Sequence, residues 1–167
     1  MMRIGIGEDL HRIDDGRTLI LGGVIIEEGP GLIGHSDADV LLHAITDAVL
    51  GAAALGDIGQ HFLVDEFHGD DDRDVDRRHA DRKAVELASA AGWTIANIDS
   101  TVRAERPKLA PYIPHLRERI AEITGLVPAQ VSVKAKTSEG LDAVGRGEAM
   151  AATAVVLHQA SEHGLEH

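Results

Sequence analysis

The sequence predicts an α+β fold, a mixed sheet with about three helices packed on one face. Two observations carry this. Short β-favouring runs and segments of helical period share one chain of 167 residues, long enough for a domain with a real core. They do not alternate as regular strand–helix–strand units, which argues against a wholly parallel sheet.

Taken in order, residues 3–7, RIGIG, read as a first short strand. Residues 18–28 form two β-favouring runs around Gly22-Gly23, a hairpin or bulge signal. The glycines and proline of 28–39 predict a loop. The clearest helix follows. Val40, Leu41, Ala44, Ile45, Ala48, Val49 and Ala52 recur at helical spacing, with Ser36 or Asp37 as the expected cap and an end near Gly56. Asp39, His43 and Asp47 fall on a polar stripe beside the apolar one. Residues 65–82 are densely charged. Their first half reads as a mobile loop, and the second enters a helix running to Gly92, with Ala84, Val85, Leu87 and Ala88 inward. Residues 94–104 predict a strand. Pro107, Pro111 and Pro114 punctuate a loop leading into a helix over 114–124, stopped by Gly125. VSVKAK, 131–136, alternates as a strand, 138–148 is a Gly-rich turn, and 149–158 reads as a buried strand. One domain is expected over 1–158. The tail, 159–167, ends in LEH, which resembles a truncated tag, and is set aside in fold reasoning.

Composition narrows the function. The formal net charge is −12, so neither a nucleic-acid partner nor an anionic membrane surface is expected. No apolar run approaches the roughly 20 residues that span a bilayer. A small phosphorylated substrate stays compatible, because a metal ion can supply positive charge locally. There is no cysteine, so disulfide and thiolate chemistry are excluded and any metal site draws on His, Asp and Glu. This composition fits a reducing compartment, and the expected localisation is cytoplasmic. Aromatic residues make up 2% of the chain, so the core must come from Ala, Val, Leu and Ile.

Three groups carry chemistry. Asp9 and His11, in GEDLH, lie two positions apart, and alternate residues of an extended chain point to the same side. His35, Ser36, Asp37 and Asp39 precede the long helix, and His43 lies one turn into it. Two imidazoles and one carboxylate make a three-ligand zinc set with one open position, the arrangement of a catalytic site. The plain alternatives are a D-x-H pair arising by chance and a core His43 bonded to Asp39 or Asp47. The second group is KAKTSEG, 134–140, where a strand ends in Lys136, Thr137 and Ser138, followed by Glu139. Hydroxyls and backbone amides there can hold phosphate oxygens, and Glu139 can hold magnesium through oxygen. The alternative is a solvated turn. The third group is RAERPKLAP, 103–111, whose Lys108 can neutralise phosphate, against the alternative of a helix-entry loop.

In this order, GEDLH, GHSDADVLLHAITDAVLGAAALGDIG, RPKLAPYIP, VKAKTSEGL and GRGEAMAATAV resemble the 2-C-methyl-D-erythritol 2,4-cyclodiphosphate synthase family, over about residues 3–157. The resemblance implies a homotrimer with active sites between subunits. It implies conversion of 4-diphosphocytidyl-2-C-methyl-D-erythritol 2-phosphate to the 2,4-cyclodiphosphate and CMP, in the non-mevalonate route to isoprenoids. Asp9, His11 and His43 then hold zinc, one ion per subunit, and Glu139 holds Mg2+ or Mn2+ that comes with substrate. His35 and Thr137 match positions that stabilise the transition state, and Ser36 a substrate contact beside His35. Asp57, Ile58 and Gly59 match a segment that binds substrate hydroxyls, and Asp65 or Glu66 stands in for the loop that closes over the methylerythritol unit. Ala104, Arg106, Pro107, Lys108, Leu109 and Ala110 match the cytosine pocket, and Lys136 to Glu139, Ser138 included, the diphosphate cradle. Lys136 stands where the family frequently has threonine and adds charge against phosphate. Arg146 and Glu148 match the central trimer cavity. Ala143 stands where a large apolar residue often lines that cavity, so weaker retention of an isoprenoid diphosphate is expected. Two rival functions are a zinc-dependent phosphohydrolase on the same site and a non-catalytic nucleotide-binding trimer. The set His35, Thr137 and Glu139 argues against the second.

Overall fold

Alternation and helical period become seven strands and five helices among the described residues, which in this computed structural model are 1–34, 38–62 and 73–161. The strands are β1 (Met2–Asp14), β2 (Leu19–Leu21), β3 (Val24–Ile26), β4 (Gly31–Ile33), β5 (Trp93–Arg103), β6 (Val131–Lys136) and β7 (Ala149–Ala160). The helices are α1 (Val40–Ala52), α2 (Ile58–His61), α3 (Arg73–Ala90), α4 (Ile113–Thr124) and α5 (Asp142–Gly145). Only α1, α3 and α4 exceed a single turn, which is the three-helix expectation. Among the described residues, no helix is long and apolar enough to cross a membrane.

Five strands form one mixed sheet in the order β4-β1-β7-β5-β6. β5 and β6 are its parallel pair, and the other neighbours run antiparallel. β2 and β3 make a separate hairpin through Gly22-Gly23, at φ +56° and +73°. Two consecutive positive φ values are what a two-residue type I′ turn requires, and glycine takes them without steric cost.

The three long helices cover one face of the sheet. α1 lies along β1 and β7, α3 packs on α1 and β5, and α4 packs on β6. Ten of the 13 residues of α1 are buried, so this helix is the centre of the core rather than a surface helix with one apolar stripe. Its contact with β1 is unusually close. A β-carbon on Gly5 would stand 2.0 Å from the Ala48 carbonyl oxygen, and one on Gly7 2.0 Å from that of Ala44. The two glycines of RIGIG therefore let the helix backbone rest on the strand backbone. The rest of the core is aliphatic, with Leu41, Ile45, Leu50, Leu116 and Ile120 among its fully buried side chains.

The structure departs from the sequence reading at several element ends. β1 continues to Asp14 instead of stopping at residue 7, because β7 and β4 pair with its second half. Gly31–Ile33, inside the expected 28–39 loop, is strand β4, held by its ladder to Arg12–Asp14 and by the Gly31 amide on the Arg17 carbonyl oxygen. α1 is capped by Asp39, not by Ser36 or Asp37, which lie outside the described residues, and it ends at Ala52 rather than near Gly56. The single turns α2 and α5 were not expected, the latter within the Gly-rich 138–148 segment. β7 extends two residues into the presumed tail. The expected mobile stretch after residue 65 lies outside the described residues as far as 72.

One core residue sets a pH dependence. His158 of β7 is fully buried, and among the described residues neither ring nitrogen meets a hydrogen-bond partner. It stands opposite Arg3 of β1 and Ile95 of β5. Burial, and then the Arg3 charge, push its pKa below the ordinary 6.5. The folded state thus resists a proton that the unfolded chain accepts. Its contribution to stability is complete above pH 6.5 and is lost as pH falls below that value, by at most about 1.4 kcal/mol per pH unit. His158→Leu is expected to remove the unsatisfied donor, to stabilise by about 1–3 kcal/mol, and to flatten this acid slope. Urea unfolding at pH 7.5 and 5.5 checks it, and parallel slopes in variant and parent would refute it.

Candidate active site

Asp9 and His11 are alternate residues of β1 on the same face as Gly5 and Gly7, and so lie beneath the start of α1. His43 descends from the first turn of that helix. The helix start is fixed by Asp39, whose buried carboxylate accepts the amides of Leu41 and Leu42 in its own helix and those of Gly22 and Gly23 in the hairpin turn. One side chain thereby caps α1, satisfies the Gly-Gly turn and sets the height of His43 above the sheet. Asp39 is a cap and not a member of the expected polar stripe.

The three side chains converge. His11 Nε2 is 2.8 Å and His43 Nδ1 3.0 Å from Asp9 Oδ2, and the two nitrogens are 3.4 Å apart. His11 donates its Nδ1–H to the Ile33 carbonyl oxygen at 3.0 Å, which orients the ring with Nε2 toward the cluster. Burial raises the pKa of the Asp9 carboxyl. Hydrogen bonds and charge from His11 and His43 outweigh it and hold the group well below the usual carboxylate range. The side chains are 17–25% exposed, so a ligand can reach them. Among the described residues, these three could hold a metal ion, with one ligand atom each and all ligand atoms within 4.8 Å of one another. The separations are close to the edge of a tetrahedron with zinc bonds of about 2.0–2.1 Å, and two neutral imidazoles with one carboxylate are a zinc-type donor set. The residues fit the metal.

Next to this cluster, Asp47 accepts the Ile58 amide at 2.8 Å, and burial pushes its carboxyl up. It ties the start of α2 to α1. Asp57 caps α2 by accepting the Gln60 amide at 3.0 Å. The Asp57, Ile58 and Gly59 segment is therefore held near His43 by a residue the site prediction left out. His35, Ser36 and Asp65 lie outside the described residues.

The other candidate residues gather at the ends of β5 and β6. Thr137 donates to the Glu139 carboxylate at 3.1 Å, and Glu139 has a left-handed backbone, φ +53°. Lys136 and Thr137 are exposed. Ala104 donates its amide to the Lys136 carbonyl oxygen at 2.9 Å, extending the parallel ladder one residue past the end of β5. Leu109 is buried, Lys108 and Ala110 are exposed, and Arg106 pairs with Asp15 at 3.1 Å. A β-carbon on Gly29 would stand 2.7 Å from the Pro107 ring, so the 104–110 segment rests on the loop after β3. Arg146 pairs with Glu148 at 2.9 Å, and Ala143 packs in a small cluster with Val144, Ala149 and Ala151.

The sheet register relates the two halves. Asp9 is level with Ala152, Ala152 with Val102, and Val102 with Ala135. The histidine cluster and the Thr137–Glu139 turn thus lie at the same end of the sheet but three strand spacings apart, about 14 Å. One phosphate cannot touch both within a single chain.

Comparisons with known proteins agree on a family. The model of the YgbB family matches residues 2–159. A 2-C-methyl-D-erythritol 2,4-cyclodiphosphate synthase from Shouchella clausii is 52% identical over 163 residues, covering 97% of this chain and 100% of that protein. One from Chromobacterium violaceum is 55% identical over 159 residues, covering 94% and 98%. Among solved structures, the CDP complex of IspF from Plasmodium falciparum superposes with a TM-score of 0.82 at 32% identity, over 96% of this chain and 97% of that one. The bifunctional IspDF from Campylobacter jejuni gives 0.88 at 35% identity, over 96% of this chain and 42% of that longer one.

Proposed function

The chain belongs to the YgbB family, and we propose that it performs the reaction of its curated relatives as a cyclodiphosphate synthase, a lyase of isoprenoid biosynthesis. The substrate is 4-diphosphocytidyl-2-C-methyl-D-erythritol 2-phosphate. An oxygen of its 2-phosphate bonds to the β-phosphorus, the bond from that phosphorus to the bridging oxygen breaks, and CMP leaves with the bridging oxygen. The observation that carries the reading is the convergence of Asp9, His11 and His43 at the open end of the sheet.

Asp9, His11 and His43 are the residues that would hold zinc, and Glu139 a magnesium or manganese ion arriving with substrate. Such cations supply neutralisation of phosphate charge. The chain's own residues do the positioning. His11 is kept in one tautomer by Ile33, and Asp9 stays ionised at any physiological pH. Lys136 contributes charge and Thr137 a hydroxyl donor at the diphosphate, with His35 as the second donor to the developing charge. Ser36 contacts substrate beside His35. Asp57, Ile58, Gly59 and Asp65 hold the methylerythritol hydroxyls, and residues 104–110 hold cytosine. Because attack is internal, orientation alone can supply on the order of 7–11 kcal/mol of the barrier. Residues 1–158 act as one domain, and the reaction is cytoplasmic.

The 14 Å separation is resolved if the cluster of one chain meets the turn of its neighbour in a homotrimer. The sheet face away from the helices supports this. Ile4, Ile6 and Leu10 of β1 are 72%, 64% and 58% exposed there, with Val155 across the ladder from Ile6. An apolar patch of this kind marks an interface. Ile6→Glu is expected to leave monomers without activity, because each would carry only half-sites. An active monomer by light scattering at assay concentration would refute the shared site.

Cyclisation is distinguished from hydrolysis by running the reaction in ¹⁸O water. Internal attack puts solvent oxygen into neither product. Label entering a product as fast as CMP is released would mean a phosphohydrolase.

A further inference from the structure

Where β5 ends, three successive residues, Arg103 to Glu105, reach the end of β6 and the turn that follows it. Arg103 donates from Nη1 to Ser138 Oγ at 3.2 Å and to Asp142 Oδ2 at 2.9 Å. Ala104 donates its amide to the Lys136 carbonyl oxygen. The Glu105 carboxylate accepts the Ser138 amide at 2.6 Å, a short, charge-assisted bond. The turn they grip is strained. Glu139, Gly140 and Asp142 have φ values of +53°, +76° and +59°, in the left-handed region that costs side-chain-bearing residues energy. Such a conformation persists only where its surroundings impose it. Within the turn, Asp142 Oδ1 accepts the Val144 and Gly145 amides, and Thr137 bonds Glu139. The links to a separate element come from Arg103 and Glu105.

Resting on the function proposed above, we infer that Arg103 and Glu105 are positioning residues that lock the nucleotide-holding segment, 104–110, to the diphosphate-holding turn, 136–139, of the same chain, and so make this half-site select a nucleoside diphosphate over a nucleoside monophosphate. The physical reason is spacing. A cytidine and a β-phosphate belong to one ligand. Two subsites read both ends only if the distance between them is fixed before binding, since otherwise ordering the turn consumes the affinity gained from the second phosphate. Neither residue needs to touch the ligand. Glu105 holds the Ser138 amide from behind, and Arg103 holds its hydroxyl and the far end of the turn at Asp142.

The test uses the full chain, titrated calorimetrically with CDP and with CMP in the presence of magnesium. The parent is expected to bind CDP more tightly than CMP. Glu105→Ala and Arg103→Ala are expected to weaken CDP about tenfold while changing CMP by less than about twofold, the loss expected of one charged hydrogen bond. Glu105→Gln keeps an acceptor oxygen and is expected to restore most of the CDP affinity. A role confined to stability would lower the melting temperature or both affinities together and leave their ratio alone, and that result overturns the inference. So does tighter CDP binding in Glu105→Ala, which would make the carboxylate a repulsive group at the phosphate. A parent that binds neither nucleotide overturns the proposed function instead, and the inference with it.

Discussion

His43→Ala is expected to bind no stoichiometric zinc and to lose cyclisation by roughly 10³-fold or more. The variant keeps Asp9 and His11, two ligands where three converge within 4.8 Å. Two ligands do not make the three-coordinate protein site that a catalytic zinc requires. The rate loss follows from losing several kcal/mol of charge stabilisation, at about 1.4 kcal/mol per decade. His43 also gives Asp9 a 3.0 Å hydrogen bond, so the metal-free variant is expected to lose only about 1 kcal/mol of stability. Two measurements separate these effects. Elemental analysis reads the metal, and thermal unfolding with added zinc reads the linkage. The parent gains about 2.7 kcal/mol at zinc concentrations 100 times the dissociation constant, and the variant gains none. Equal zinc content in variant and parent would remove Asp9, His11 and His43 from the metal-site assignment.

How much of this was legible in the sequence depends on how local the cause is. The helical period of 40–52 and the stop at Gly125, φ +74°, are set within a few residues, and both were readable. The D-x-H alternation in β1 was readable for the same reason, since two residues on one strand share a face whatever surrounds them. β4 was not. Gly31–Ile33 is only three residues long, sits among the glycines and proline of 28–34, and exists as a strand because β1 offers it an edge. The cap at Asp39 was missed because two of its partners, Gly22 and Gly23, are 17 and 16 residues away. The same holds for Asp47 on Ile58, and for Arg103 and Glu105 on the turn more than 30 residues on. Residue types at the site could be matched to a family motif. The groups that hold them in place answer to tertiary geometry, and no spacing rule points to them.

The largest stability effect is expected from the smallest substitution. Gly7→Ala adds one methyl group where its carbon would stand 2.0 Å from the Ala44 carbonyl oxygen and 2.7 Å from the Ala48 amide nitrogen. Both neighbours are helix backbone, so no rotamer change relieves the clash, and α1 must lift off β1. Overpacking of this kind costs about 3 kcal/mol or more, a large part of the 5–15 kcal/mol that holds an ordinary domain together. For a chain of this length the melting temperature should fall by roughly 6–12 °C. Gly51→Ala is the matched control. It sits on the exposed side of the same helix, and its added carbon meets only the Ile6 carbonyl oxygen at 3.9 Å. It should stabilise by about 0.4–1 kcal/mol, through the better helix propensity of alanine and the lower entropy of the unfolded chain. The effect of Gly7→Ala then reaches the chemistry. His43 rides on α1 while Asp9 and His11 stay on β1, so lifting the helix pulls one ligand away from the other two. Ligand sets tolerate displacements of only about 0.5 Å, and metal affinity should drop about 10–100-fold even in molecules that remain folded. Gly7→Ala with the parent's melting temperature and zinc affinity would mean that α1 does not rest on β1 as described, and that the height of His43 is set by the Asp39 cap alone.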